Sequence, residues 1–385
     1  MGSTSGHGLA LEGHYNQLVP AVANGGTAEV MAVLAVTRDP APAAAAPQPR
    51  AEVIVLDVTE AMAAQPGWPD ALRSGARAAL GTLRPGTAFA LVAGTDEARV
   101  LYPEPAKEAD APPRLAVADE TTLAEAAAAI EAVPIGSGAG GARLGGWVDL
   151  AGRLLAEHPN PLRHALLVSA SADRGGPGEL ASALDTWRGR FACDARGVGR
   201  GWRPVELRAV AAALSGTVDI VDDPVGRDRL AREMAATLAD AMGRTLGDIV
   251  LEVRTRADAR LARARQVAPT VERLTQVKAE QSGLSLCYGT GAWGAETREY
   301  LLQFEAVPGR IGEGALLAQV VARLDDGTGP MVPIADWQLR VSWADPADED
   351  AQRADPRVAA TGLAAGPGTG AHTAPPDEPD APYGQ

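Results

Sequence analysis

Aromatic residues supply only 4% of this 385-residue chain, and cysteine occurs twice, at Cys193 and Cys287. Two distant cysteines without metal-ligand spacing are no disulfide framework, so both are read as idle thiols. Basic residues are also short, 35 against 49 acidic, which leaves a formal net charge of −14. Phosphate-backbone binding draws its affinity from clustered Lys and Arg, so a nucleic-acid partner is not expected. No run approaches the roughly 18 apolar residues of a membrane span. The opening MGSTSGHGLALEGHYNQ has no basic stretch leading into an apolar one, so no secretory signal is read and a cytoplasmic location is expected. The five histidines, at 7, 14, 158, 164 and 372, form no HxxxH or HxH pair. No Gly-x-Ser-x-Gly elbow anchors a hydrolase triad.

What is present is small and aliphatic. The hydrophobic fraction is 46%, enough for two domains whose cores rest on close packing of Ala, Val and Leu. Three stretches are poor in core-formers: a Pro/Ala linker at 38–50, a surface loop at 104–114, and a tail over 346–385 expected to be disordered.

From 51 to 243 strands and helices alternate. VIVLD (53–57), TAFALVAG (87–94), HALLVSA (164–170), the strand in RFACDARGVG and TVDIV (217–221) read as strands. ARVLYP (98–103) follows its predecessor too closely for a crossover and reads as an antiparallel hairpin partner. Helices follow Pro69, Thr122, Leu144, Pro177 and Pro204, with Thr122 and Glu125 as a capping box and Asp223 as a cap of the last one. This order predicts a doubly wound, mostly parallel α/β sheet with one antiparallel edge strand. Ligands of such sheets bind at the carboxyl ends of the strands, where Asp57 lies.

After 244 the period becomes two. DIVLEVRTR, LSLCYGT, EYLLQFEAV, LLAQVVARL and ADWQLRVSW alternate as strands, with Asp326-Gly327 as a turn. Trp337, Leu339, Val341 and Trp343 share one face. Residues 18–37 read as two further strands around Asn24-Gly25-Gly26. About seven short strands predict an all-β sandwich built from both chain ends, 1–37 and 244–345, with the 51–243 domain inserted between them.

The strand order, the lone hairpin and Asp57-x-Thr59 resemble the von Willebrand factor A (vWA) domain. CDARGVG (193–199), QVAPTVE (266–272) and YGTGAWGAETREY (288–300) resemble a bacterial branch of cytoplasmic vWA proteins with a β-sandwich companion, some linked to tellurite resistance or stress. The resemblance implies a divalent-ion site, the metal-ion-dependent adhesion site, formed by D-x-S-x-S, a later threonine and an aspartate ending the fourth strand. Here Asp57 and Thr59 match, but Ala61 replaces the second hydroxyl, Ala142 the threonine and Ala170 the aspartate. Hard Mg²⁺ demands near-octahedral oxygen ligands, so this pattern predicts a degenerate site.

The leading expectation is therefore a non-catalytic protein-interaction module without cofactor, presenting Asp57, Thr59, Glu60, Ala142, Arg143, Ser169, Ser171 and Asp173 to a protein partner. The alternative is Mg²⁺-dependent binding through Asp57 and Thr59, with Asp173 or water completing the shell. An enzyme is a distant third, because no convergent acid, base and nucleophile set is visible. Gly136-Ser137-Gly138-Ala139-Gly140-Gly141 satisfies GxGxxG but follows a helix instead of a strand, the wrong context for a dinucleotide. Trp202, Trp293 and Trp343 are read as core or half-buried residues, and His164 as structural.

Overall fold

A computed structural model describes residues 7–21, 26–40, 49–104, 114–137, 141–159, 162–222, 227–269, 271–279, 284–325 and 330–364. The chain opens with three strands, β1 (Leu9–Tyr15), β2 (Leu18–Pro20) and β3 (Ala28–Arg38). It then builds β4 (Ala51–Asp57), α1 (Glu60–Ala63), α2 (Trp68–Leu80), β5 (Ala88–Gly94), β6 (Arg99–Tyr102) and β7 (Ala116–Val117). Next come α3 (Glu120–Ala132), α4 (Leu144–Ala156), β8 (Arg163–Ser171), α5 (Glu179–Trp187), β9 (Ala192–Gly201), α6 (Pro204–Ala213), β10 (Val218–Val221) and α7 (Arg227–Gly243). The remaining strands are β11 (Asp248–Thr255), β12 (Ala259–Ala268), β13 (Glu272–Arg273), β14 (Thr275–Ala279), β15 (Ser285–Gly289), β16 (Glu296–Ala306), β17 (Gly314–Asp325) and β18 (Val332–Ala344). Two short helices follow, α8 (Glu349–Gln352) and α9 (Pro356–Ala364).

The α/β part is a seven-stranded sheet in the order β10-β9-β8-β4-β5-β6, with β7 beside β5. Strands β4, β5, β8, β9 and β10 are parallel, while β6 and β7 run antiparallel to β5. Strand β4 is buried along its whole length because both of its faces are covered. Ile54 and Leu56 face α2, α3 and α7, whereas Ala51, Val53 and Val55 face α4, α5 and α6. The hydrophobic run that stops at Asp57 thus delivers that carboxylate to the carboxyl end of a central strand.

With so few aromatics, the large side chains seat on glycines. A Cβ on Gly94 would lie 2.5 Å from Trp147, one on Gly152 2.2 Å from Trp187, and one on Gly197 2.3 Å from Trp202. Trp147 is fully buried and its indole N–H donates to the Thr95 carbonyl at 2.7 Å, so it has no room to retreat. Gly94→Ala is expected to destabilise the fold by about 2 kcal/mol through overpacking, read as a lower urea midpoint at unchanged slope.

The sandwich pairs a five-stranded sheet, β1-β3-β16-β12-β13, with a six-stranded one, β14-β15-β11-β17-β18-β2. Both chain ends contribute, since β3 pairs with β16 along its length and β2 pairs with β18 in parallel. Leu339, Val341 and Trp343 are buried in the core between the sheets, and Trp337 packs at its border.

Several expectations need correction. The two strands read over 18–37 are β2 and β3, and they belong to opposite sheets. The sandwich has more than seven strands, because β1 and the Arg-rich β12 also pair. Helix α3 is capped by Asp119, with Thr122 completing the box, which frees Glu125 to accept from the Tyr102 hydroxyl at 2.9 Å. Part of the tail is ordered: Asn16 donates to the Ala351 and Arg353 carbonyls, and Val358 packs with Val33 and Leu301. Those tertiary contacts stabilise a segment whose own composition is too poor in apolar residues to order it. At the ends of the expected linker, Arg38 donates to the Trp293 carbonyl and Arg50 to the Ala241 and Arg244 carbonyls. Residues 41–48, most of the 104–114 loop, Asn24-Gly25, Asp223, Asp326-Gly327, residues 365–385 and the centre of the GxGxxG stretch lie outside the described residues.

Candidate functional site

Asp57 ends β4 with its carboxylate buried, at 0% exposure. Its Oδ1 accepts from the Thr59 backbone N–H at 3.0 Å and from the Thr59 hydroxyl at 2.6 Å. Its Oδ2 accepts from the Ala170 backbone N–H at 2.8 Å. The Ser169 hydroxyl divides its one proton between Oδ2 at 3.3 Å and the Ser171 carbonyl at 3.1 Å. With the Thr59 proton committed to Asp57, its oxygen is left to accept from the Ser171 hydroxyl, 2.7 Å away. Both carboxylate oxygens are therefore saturated from within the protein. Thr59 and Ser171, the hydroxyls that would otherwise face an ion, are turned into links of this network.

Two of the three alanines reinforce that arrangement. Ala142 and Ala170 are fully buried and pack into the cores on opposite faces of the sheet. The Ala142 carbonyl accepts from the Arg174 N–H at 2.7 Å, which ties the turn before α4 to the loop after β8. Asp173 is engaged at that same junction. Its Oδ1 accepts from the Leu144 N–H at 2.9 Å and the Gly175 N–H at 3.1 Å. It thus supplies a negative charge and an acceptor to the amino end of α4, a favourable interaction with the helix dipole, and does not complete a shell around Asp57.

Arg143 points outward and pairs with Glu179 at 2.9 Å. The hydrogen bond to Glu179 and its charge raise the Arg143 pKa, and the same bond, with the Gly176 N–H, lowers that of Glu179. Of the eight residues expected to face a partner, Asp57, Thr59, Ala142, Ser169 and Ser171 are buried. Their burial follows from the internal network, and it leaves Glu60, Arg143 and Asp173 with access to solvent.

The divalent ion implied by a vWA fold does not fit these residues. An ion at Asp57 would have to displace the N–H and hydroxyl donors, and alanine offers no side-chain oxygen at the other three positions. Among the described residues, no group of three or more His, Cys, Asp or Glu side chains is placed to hold a metal.

A second polar constellation lies at the opposite, amino end of the sheet. His164, on β8, is buried with Nδ1 2.7 Å from Glu52 Oε2 on β4 and Nε2 3.0 Å from Asp194 Oδ2 on β9. Burial alone would lower the His164 pKa, but the two carboxylates outweigh it and push it up to about 9. Burial likewise opposes ionisation of Asp194, yet His164, Arg244 and the Thr217 donors hold its pKa well below the usual carboxylate range. Reading His164 as structural agrees with this burial, while its two partners went unnoticed. The available signal was a Glu and an Asp inside buried strands, in EVIVLD and ACDARG.

Trp293 and Trp343 are buried in the sandwich and Trp202 is half-buried against Gly197. Cys193 and Cys287 are both buried, and burial drives the Cys193 thiol well above its ordinary pKa, which makes it a poor nucleophile. No helix among the described residues is long and apolar enough to cross a membrane.

No family model matches the sequence, and no curated protein matches it. Among solved structures, a von Willebrand factor type A protein from Catenulispora acidiphila superposes with a TM-score of 0.81 at 30% identity, over 93% of this chain and 79% of that one. The ArnB paralog VWA2 from Sulfolobus acidocaldarius superposes with a TM-score of 0.50 at 11% identity, again over 93% and 79%, a likeness of fold alone. The first likeness spans the inserted sheet and the sandwich together, and with it this chain belongs to the von Willebrand factor A family.

Proposed function

We propose that this protein is a non-catalytic interaction module that engages a protein partner through the carboxyl-end face of its vWA sheet, without a bridging metal ion. The observation that supports this most strongly is the buried Asp57 carboxylate, whose oxygens are already satisfied by Thr59, Ala170 and Ser169. In a metal-dependent vWA site the ion needs an open position for a ligand carboxylate. Here recognition falls to the rim around the dismantled site, where Glu60 and Arg143 are exposed and Asp173 is half-exposed.

Rim charges affect partner choice and association rate more than folding. Arg143→Glu, which removes the Glu179 pair and reverses the charge, is expected to weaken partner recovery about tenfold while leaving the melting temperature within roughly 1 °C. Recovery on an affinity matrix, compared with and without Mg²⁺, distinguishes the two readings of this face. Equal recovery by the variant moves the interface elsewhere. Recovery that requires Mg²⁺ and is lost on chelation returns the metal-dependent alternative through Asp57 and Thr59.

A further inference from the structure

Between the two domains lies a cleft of ≈ 550 Å³, within the range of small-molecule sites, which favour domain junctions. Its vWA wall comes from α6 and the turn into β10, with Arg208, Ser215 and Thr217, and Arg244 follows α7. Its sandwich wall comes from the loop after β15, with Thr290, and from the start of β16, with Glu296 and Arg298. The walls meet where Ser215, at φ 50°, stands against Gly291, at φ 74°; a Cβ there would touch the Ser215 Cβ at 3.4 Å.

Three guanidinium groups and one carboxylate line this cleft, in a chain whose net charge is −14. Arg298 is neutralised by Glu296 at 2.7 Å, donates to the Thr290 and Ala292 carbonyls, and stacks 4.2 Å over Trp293. It is part of the wall. Arg244 approaches Asp194 only at 3.7 Å, and that carboxylate already shares a proton with His164. Arg208 is exposed and makes no hydrogen bond or ion pair among the described residues, nor does the Ser215 hydroxyl. Asp248, which feels the charges of Arg298 and Arg244, has its pKa raised to about 7 by burial and by Asp325. The cleft thus holds unspent cationic donors and a free hydroxyl beside apolar walls from Ala211 and Leu274.

We propose that this interdomain cleft binds a small organic anion bearing phosphate or carboxylate groups, held by Arg208, Arg244 and the Ser215 hydroxyl. Arginine forks match both oxyanions, and a ligand spanning the cleft couples the two domains. Calorimetric titration of the full chain with pyrophosphate, AMP and citrate separates phosphate from carboxylate recognition. At least one probe is expected to bind in the submillimolar range, with a raised melting temperature. Arg208→Glu is expected to weaken that binding about tenfold or more, because it reverses the charge at an exposed helical position without disturbing the core. Arg99→Glu, the same charge change on β6, is expected to leave it intact. Failure of all three probes to bind overturns the proposal. So does binding that Arg208→Glu leaves unchanged, or that both variants weaken equally.

Discussion

Replacing Asp57 by alanine is expected to destabilise the protein by about 3 kcal/mol or more in metal-free buffer, because two backbone N–H groups and the Thr59 hydroxyl lose their acceptor in a buried site. The donors are those of Thr59 and Ala170, both fully buried. A working metal site predicts the opposite sign. There the ion-free carboxylate is held near other ligands with no cation to balance it, so its removal is neutral or stabilising until metal is added. Urea denaturation of the wild type and Asp57→Ala, each with EDTA and with Mg²⁺, reads both effects. A variant as stable as the wild type in EDTA, or a wild type markedly stabilised by Mg²⁺, would sink the proposed metal-free network.

The layout of the α/β sheet was legible because β4, β5 and β8 are each built on an apolar run bounded by turn residues. Burial on both faces is what makes such runs continuous. The loss of the metal site was legible too, since an alanine at 61, 142 or 170 has no side-chain oxygen in any conformation. What replaced the site was not legible. Pattern cannot reveal that Ser169 and Ser171, one residue either side of the lost aspartate position, close onto Asp57 and Thr59, because that requires the register of β4 against β8. Asp173 misled for a related reason. Its spacing suggested a substitute ligand, but its carboxylate caps α4 across 29 residues of sequence.

In the sandwich, strands with clean alternation were read and the others were missed. Strand β12 carries Arg260, Arg263 and Arg265 along an edge-side face and breaks register twice against β16, which blurs the two-residue period. Strand β1 hides behind a Gly13 that looks like a turn residue. In the fold that glycine is the seat for Trp337, with a Cβ there lying 2.1 Å from the indole. The glycine was a packing signal whose partner lies more than three hundred residues away, beyond the reach of any local pattern.

The Glu52–His164–Asp194 cluster carries the second large expectation, a loss of stability at mildly alkaline pH. His164 has its folded pKa raised from the ordinary 6.5 to about 9, so the folded state holds a proton that the unfolded chain releases earlier. The resulting stabilisation is fully present below pH 6.5 and disappears as the pH rises through about 9. Its size is about 3 kcal/mol, from the 2.3RT that each unit of pKa difference contributes. Asp248, raised to about 7, also favours the folded state at lower pH, but it has largely ionised before His164 lets go. The decline from neutral pH up to about 9 is thus expected to belong to the histidine, whose window runs from its unfolded value of 6.5 to its folded value of about 9. Glu52→Gln removes the charge 2.7 Å from Nδ1 and is expected to shift that decline to lower pH. His164→Gln leaves two buried carboxylates facing a neutral amide and is expected to lower stability by roughly 3 kcal/mol at pH 7 while flattening the alkaline slope. Urea midpoints measured across this pH range for the wild type and both variants test the assignment. A wild-type midpoint that stays level to pH 9.5, or a decline that His164→Gln leaves in place, removes the histidine as its source.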